Sequence, residues 1–280
     1  MIIGIVGLGL MGGSFAMTVK KRTSALVYGF DKDPEVLKKA IERGIIDGDL
    51  AGRENEADML LIALYPRVFA KTAEEYLPKM KRGATLTDIC GIKRTVIKDM
   101  RRLAVKYPDI NFVGGHAMAG REYSGIDNAT DSLFSGASMI LVPVNADGGV
   151  MTEIKEFFLS LGFGETVVTD AETHDANIAF TSQLPHAVSN AFIKSPTAKR
   201  HFGYSAGSYK DLTRVARLQP EMWTQLMADN SDMLASELDL LIENLKKYSE
   251  ALKAGDEERL NSLLAEGNER KIKIDEDNYR

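Results

Sequence analysis

The stretch IIGIVGLGLMGGS, residues 2–14, decides how this chain folds. It opens with a short apolar run suited to a strand buried on both faces. Gly7, Gly9 and Gly12 follow in the spacing G-x-G-x-x-G, and a helix is expected over residues 14–21. A second strand, residues 25–30, ends at Asp31, 19 residues after Gly12. Strand, glycine turn, helix, strand and acidic residue in this order make a dinucleotide-binding fingerprint. Gly7 permits the tight turn. Gly9 lets the backbone approach a pyrophosphate seated on the helix N-terminus, with Leu8, Leu10 and Met11 completing the cradle. Gly12 lets helix and strand pack closely. Asp31 can accept hydrogen bonds from ribose hydroxyls, and its charge repels a 2′-phosphate, which favours NAD over NADP. Lys32 softens that preference. The bland alternative is a doubly wound fold with an unused glycine turn.

The alternation continues. Strands are expected at 57–64, 84–89, 111–114, 138–144 and 166–169, with helices at 36–43, 69–80, 96–106 and 153–161. Continuous apolar strands between helices imply a parallel sheet covered on both faces. Leu64 and Tyr65 end the third strand, at the carboxyl edge where cofactor contacts are usual. From about residue 170 the alternation stops. One helix is expected over 172–193, kinked at Pro185, then a loop over 194–209 and a short helix over 210–217. A helix over 221–254 would be about 50 Å long. Leu234, Leu238, Leu241, Leu245, Tyr248 and Leu252 recur at heptad spacing along it. Burial within the same domain would use such a seam, and so would a homodimer, the reading preferred here. Gly255 stops the helix and Asp256 can cap a last one. The charged tail, 266–280, reads as a solvated face that frays. The fold class is therefore an α/β Rossmann-type dinucleotide-binding domain, residues 1–168, followed by an all-α helical substrate and dimerisation domain, residues 169–280.

Composition narrows the partners. The chain has 280 residues, a net charge of −5 and one cysteine, Cys90. No intrachain disulfide or Cys-based zinc site can form, no metal is expected, and a reducing cytoplasm suits the chain. The acidic balance argues against nucleic acid. The start reads as a strand and not as a signal peptide, and no apolar window is long enough for a membrane span. A dinucleotide domain followed by a helical one suggests a dehydrogenase, its substrate at the carboxyl edge of the strands.

Four polar residues are candidates for that cleft. His116 lies in GGHAMAG, expected just past a strand, among residues small enough to admit a ligand. A packed core histidine beside a tight turn would read the same way. His186 lies in QLPHAV, with Ser182 and Gln183 one turn before it. Arg214 follows a Gly-rich loop, with Asp211 and Thr213 nearby, and a lone helical arginine is usually a solvated charge. Trp223, the single tryptophan, reads as core packing at least as readily as a site residue.

GGHAMAG resembles the GGHPMAG segment of the prephenate/arogenate dehydrogenase family. QLPHAV resembles its second histidine segment, and KDLTRVARLQPEMW, residues 210–223, resembles its K-D-x-T-R-x-A-x-x-x-P-x-M-W run. With GLGLMGGS and YGFDKD, the likeness covers nearly the whole chain. The resemblance implies NAD-dependent oxidative decarboxylation of prephenate to 4-hydroxyphenylpyruvate on the way to tyrosine. It implies that His116 takes the ring hydroxyl proton and that Arg214 clamps a carboxylate of this dicarboxylate substrate. It also implies that His186 meets the substrate side chain, that Gly207 and Trp223 lie near the substrate, and that Asp211 orients His186 or Arg214. No mutase-like extension before the dinucleotide fold and no regulatory domain after the helical one is expected.

Two positions depart from the family. Many relatives carry a serine in a D-x-G-S-x-K segment that holds the ring hydroxyl. Here residues 88–93 read DICGIK, with Gly91 at the serine position and Lys93 in its usual place. That contact is absent or comes from backbone, water or another group. Cys90 reads as a buried strand-end residue. Ala117 replaces the proline after the histidine. The nearest rival is arogenate as substrate. A β-hydroxyacid dehydrogenase would need a catalytic lysine in a G-x-x-x-K-x-x-x-N helix, which is missing. The rival from another class is a non-catalytic NAD-binding sensor.

Overall fold

The computed structural model describes residues 1–121 and 123–278. The chain begins with β1 (Ile2–Val6), α1 (Leu10–Arg22), β2 (Leu26–Phe30), α2 (Pro34–Glu42), the short β3 (Gly48–Asp49) and β4 (Met59–Ile62). It continues with α3 (Pro66–Tyr76), β5 (Thr85–Asp88), α4 (Arg94–Lys106) and β6 (Asn111–Ala117). Then come β7 (Ser138–Pro143), α5 (Gly148–Ser160) and β8 (Glu165–Val168). The eight strands form one sheet in the order β3-β2-β1-β4-β5-β6-β7-β8. Side chains alternate between two cores. Ile3, Ile5, Met59 and Leu61 join Phe15, Phe134 and Phe158 in one. Val6, Leu60 and Ile62 join Phe69, Leu86 and Phe112 in the other. A strand buried on both faces has no polar face to show, so it reads as a continuous apolar run.

The sheet departs from the all-parallel expectation at one place. β7 runs antiparallel to β6, with His116 opposite Ile140, and β8 then pairs parallel to β7. The connection between β6 and β7 holds only the 3₁₀ turn Ile126–Asn128 among its described residues. A parallel return needs a crossover of a dozen or more residues, usually helical, whereas an antiparallel one does not. The pairing extends β6 to Ala117, so His116 lies inside the strand and not just past it.

The second half is helical: α6 (Ala171–Ile178), α7 (Leu184–Phe192), α8 (Gly207–Thr213), α9 (Pro220–Ala228), α10 (Ser231–Ala254) and α11 (Glu257–Asn278). The expected helix over 172–193 carries a π-turn, Ala179–Gln183, just before Pro185. Proline has no N–H, and its ring crowds the carbonyl four residues back, so the wider turn gives it room. A 3₁₀ turn, Pro196–Arg200, occupies part of the expected loop, and another, Arg214–Ala216, follows α8. The helix expected over 221–254 is broken after Ala228, because Asn230 turns inward and spends its side chain on buried partners. The last helix does not fray at 266 but runs to Asn278, and residues 279–280 of the expected tail lie outside the described residues.

Two compact units emerge, Met1–Asn230 and Ser231–Arg280. In the second, α10 and α11 form a hairpin. Gly255 takes φ +64° at the turn, and the Asp256 carboxylate accepts from the Arg259 N–H at 2.9 Å. Tyr248 donates to the Leu263 carbonyl at 3.1 Å and Ala251 is buried. Of the heptad positions Leu234 is buried, while Leu245 and Leu252 are exposed.

At the carboxyl end of β5 the Lys93 ammonium and the Asp88 carboxylate pair, both fully buried. Removing one member strands the other's charge, which costs about 3–5 kcal/mol. Lys93→Met is therefore expected to lower stability by about that much in urea unfolding, and a midpoint within error of the parent would contradict this account.

Candidate active site

The glycine turn is built as its spacing requires. Gly7 has φ +93°, and a Cβ on Gly12 would lie 1.9 Å from the Gly7 carbonyl oxygen. A Cβ on Gly9 would meet nothing within 4 Å, so this is the open side of the turn. Gly9 also caps α1 with no side-chain bond, leaving the helix's first amides for an anion. The Leu8 amide is already engaged, donating to Asp31 Oδ2 at 2.8 Å. The Leu8 and Leu10 side chains are buried, so these residues face a ligand only through backbone. Asp31 is half-buried beside the turn, Lys32 is exposed, and Leu64 and Tyr65 stand where β4 ends.

The Asp88 carboxylate organises the next stretch of the same edge. Oδ2 accepts from the Cys90 N–H at 2.8 Å and from the Lys93 ammonium, and Oδ1 accepts from the Gly115 N–H at 3.0 Å. This fixes the residue before His116. The small neighbours of His116 are explained by protein, not by ligand. A Cβ on Gly115 would lie 2.4 Å from the Asp88 carbonyl oxygen, and one on Gly114 would lie 2.6 Å from Ile97 Cδ1. The Cys90 thiol is buried and contacts the Leu64 carbonyl at 3.2 Å. Burial and the Asp88 charge push its pKa well up, so it is no nucleophile.

His116 is half-buried, and its Nδ1 lies 2.9 Å from Nε2 of His174 on α6. Nδ1 of His174 in turn lies 2.7 Å from Asp175 Oδ1. The Asp175 carboxylate is buried and also accepts from the Lys93 N–H at 2.7 Å and the Arg94 N–H at 2.9 Å. Burial would raise its pKa, but these donors outweigh burial and hold it below the usual carboxylate range. Burial first, then the neighbouring His174 and Lys93, hold His116 well below an ordinary histidine.

Helical residues close over this edge. The Gln183 amide donates to the Leu226 carbonyl at 2.9 Å. The Asn230 amide donates to Asp175 O and Gln183 Oε1, each at 2.9 Å. Leu226 thereby sits over Gly91, where a Cβ would lie 3.5 Å from Leu226 Cδ2 and 4.0 Å from His116 Nε2. One turn earlier on α9, Trp223 stacks on the His186 ring with centroids 3.8 Å apart. His186 Nδ1 donates to the Ser182 carbonyl at 2.8 Å. The Asn190 amide holds the Ala216 carbonyl at 3.3 Å, which ties the turn carrying Arg214 to α7.

Gly91, Lys93 and His116 are thus brought together, with His186 and Trp223 reached through Leu226 and α9. Gly207, Asp211 and Arg214 stand exposed on α8 and the turn after it. Sequence reasoning missed His174, Asp175 and Asn230, and noted Gln183 only as a polar neighbour of His186. The adjacent His-Asp pair in a helix just past the last strand was the available signal.

A family model described as the prephenate dehydrogenase nucleotide-binding domain matches residues 15–166. One described as the prephenate dehydrogenase dimerization domain matches residues 170–266. A cyclohexadienyl dehydrogenase of Zymomonas mobilis is 30% identical over 98% of this chain and 96% of its own length. A crystal structure of the A. aeolicus prephenate dehydrogenase, in complex with hydroxyphenyl propionate and NAD+, is 30% identical. It superposes with a TM-score of 0.84 over 98% of each chain. The Synechocystis arogenate dehydrogenase is 26% identical, with a TM-score of 0.81 over 98% of this chain and all of that one.

The space at Gly91 yields a prediction. Gly91→Ser meets only ordinary contacts, so it is expected to change stability by less than about 1 kcal/mol while setting a hydroxyl beside His116. A thermal scan showing a larger loss would mean that the edge is tighter than these distances.

Proposed function

The chain belongs to the prephenate dehydrogenase family, and from that premise we propose that it oxidises prephenate with NAD, releasing CO2 and 4-hydroxyphenylpyruvate. The observation that carries the reading is the place of His116. Its Nε2 faces Gly91 at the carboxyl edge of the same sheet whose first turn is shaped for a dinucleotide. The fit to NAD rests on the open side at Gly9, the uncapped start of α1 and the Asp31 carboxylate beside the turn. When bound, the nicotinamide ring accepts a hydride.

The chain's own residues supply the rest. As the C–H electron pair leaves the carbinol carbon as hydride, the hydroxyl O–H breaks and its proton passes to His116 Nε2. The bond to the ring carboxylate then breaks and CO2 departs, the electron pair passing through the ring to the former hydroxyl oxygen, which takes the proton back from His116 to give the phenol. His116, held below the usual histidine range, is neutral and ready to accept at pH 7. Arg214 clamps a carboxylate through its planar fork. His186, stacked on Trp223, meets the side chain, Gly207 and Trp223 lie near the substrate, and Asp211 orients His186 or Arg214. Residues 194–217 carry Lys194, Lys199, Arg200, Lys210, Arg214 and Arg217 against Asp211, a basic stretch on an acidic chain that suits a dianion.

The division at 168/169, between cofactor and substrate halves, is supported by where the two family models meet. A homodimer through the helical half is supported by the dimerization-domain match and by the exposed Leu245, Leu252 and Leu264. Among the described residues no helix is long and apolar enough to cross a membrane. Arogenate is the second reading, favoured by the likeness to the Synechocystis enzyme.

The test is NADH formation with NAD and prephenate or arogenate offered separately. Faster turnover of prephenate is expected, preference for arogenate selects the second reading, and silence on both with NAD still bound leaves a sensor. Two further outcomes follow. The acid limb of kcat/KM should fall below the usual histidine pKa of about 6.5, because a depressed pKa keeps the ring neutral to lower pH. A limb at or above that value would remove His116 as the base. Arg214→Ala should raise the substrate KM about 10- to 100-fold and change kcat far less, as loss of a charge-assisted clamp does. An unchanged KM would refute the clamp.

A further inference from the structure

We propose that His174 and Asp175 are positioning residues that fix the tautomer of His116, so that its unprotonated nitrogen is the one facing Gly91 and the substrate hydroxyl. The inference rests on reading His116 as the base and deepens it.

Asp175 accepts from two backbone amides, Lys93 N–H at 2.7 Å and Arg94 N–H at 2.9 Å, and from Arg94 Nε at 3.3 Å. A carboxylate surrounded by donors stays ionised and acts only as an acceptor. His174 Nδ1, 2.7 Å from Oδ1, must therefore carry the hydrogen of that contact. In a neutral ring the other nitrogen, Nε2, is then an acceptor. It lies 2.9 Å from His116 Nδ1, so His116 must hold its own hydrogen on Nδ1. Nε2 of His116 is left with its lone pair, and it is this atom that would sit 4.0 Å from a Cβ on Gly91. Moving the hydrogen of either ring to its other nitrogen would set two lone pairs or two hydrogens against each other across a short contact.

The same chain assists the reaction. When His116 Nε2 takes the hydroxyl proton, the ring becomes cationic, and its Nδ1–H still donates to a nitrogen polarised by Asp175. No second proton needs to move. The logic parallels a carboxylate that orients a catalytic histidine, with a second histidine inserted between them.

The test pairs a substitution with a spectroscopic readout. His174→Phe keeps a flat buried ring but removes the acceptor. It is expected to lower kcat about 100-fold while leaving the NAD Kd and substrate KM within about threefold. His174→Gln, whose side-chain oxygen can accept from His116, should recover part of the loss. In the parent protein, ¹⁵N-histidine NMR should show His116 protonated at Nδ1 and bare at Nε2. A parent His116 with its hydrogen on Nε2, or His174→Phe with kcat intact, overturns the proposal even if one variant folds poorly. His116→Asn separates the two layers. If it is inactive while His174→Phe is unimpaired, only the relay fails. If His116→Asn turns over normally, the base reading itself fails.

Discussion

One buried carboxylate sets the geometry on which the edge of the sheet depends. Asp88 ends β5, and its two oxygens hold the turn after it through Cys90, the start of α4 through Lys93, and β6 through Gly115. Three segments far apart in sequence are thereby pinned to one side chain. A charge buried this completely is tolerable only with full pairing, so any shift of one partner leaves the others unsatisfied. That constraint explains why Gly114 and Gly115 are glycine. β6 must approach the Asp88 backbone closely enough for the contact, and a side chain at either position would meet protein atoms. The position of His116 follows from this packing, one residue beyond the pinned amide.

Lys93 passes the constraint on. Its ammonium binds Asp88, and its backbone amide binds Asp175. Asp175 belongs to the helical half, and Asn230 joins it to Gln183 on the π-turn and to the Arg94 guanidinium at 2.8 Å. The π-turn ahead of Pro185 and the break after Ala228 each carry one buried amide of this network, Gln183 and Asn230. Both irregularities lie beside the candidate site, where local rules are most often set aside for function. The helical residues thus reach the sheet edge by buried polar bonds. Such bonds demand a definite geometry, whereas apolar contact alone tolerates sliding.

What was legible in the sequence was what local chemistry decides. The strand and glycine turn at residues 2–14, the acid at Asp31 and the apolar periods of the sheet all follow from neighbours close along the chain. The antiparallel β7 was not legible, because apolar strands look alike in either direction and only the missing crossover helix hinted at it. The break after Ala228 was hidden for a related reason. Asn230 is a tolerable helix residue until a buried partner claims its side chain, and that partner lies 55 positions away. His116, His186 and Arg214 could be named from motif context, but no spacing rule joins His116 to His174 across 58 residues. Charge networks assembled from separate segments leave almost no local trace.

The glycine at position 91 gives the network its functional weight. A side chain at this position would come near His116 Nε2 from the Leu226 side. Here that side offers only the Gly91 backbone and the apolar Leu226. A histidine ring has two nitrogens, and if neither is anchored, rotation and tautomer exchange divide the population of the reactive form. Orientation of His116 must then come from its other nitrogen, the one turned toward His174 and the buried carboxylate. On the proposal above, the open side at Gly91 and the fully satisfied Asp175 are two halves of one arrangement. The Gly91 side is thereby left open for a substrate, while the protein side fixes the ring of the proposed base.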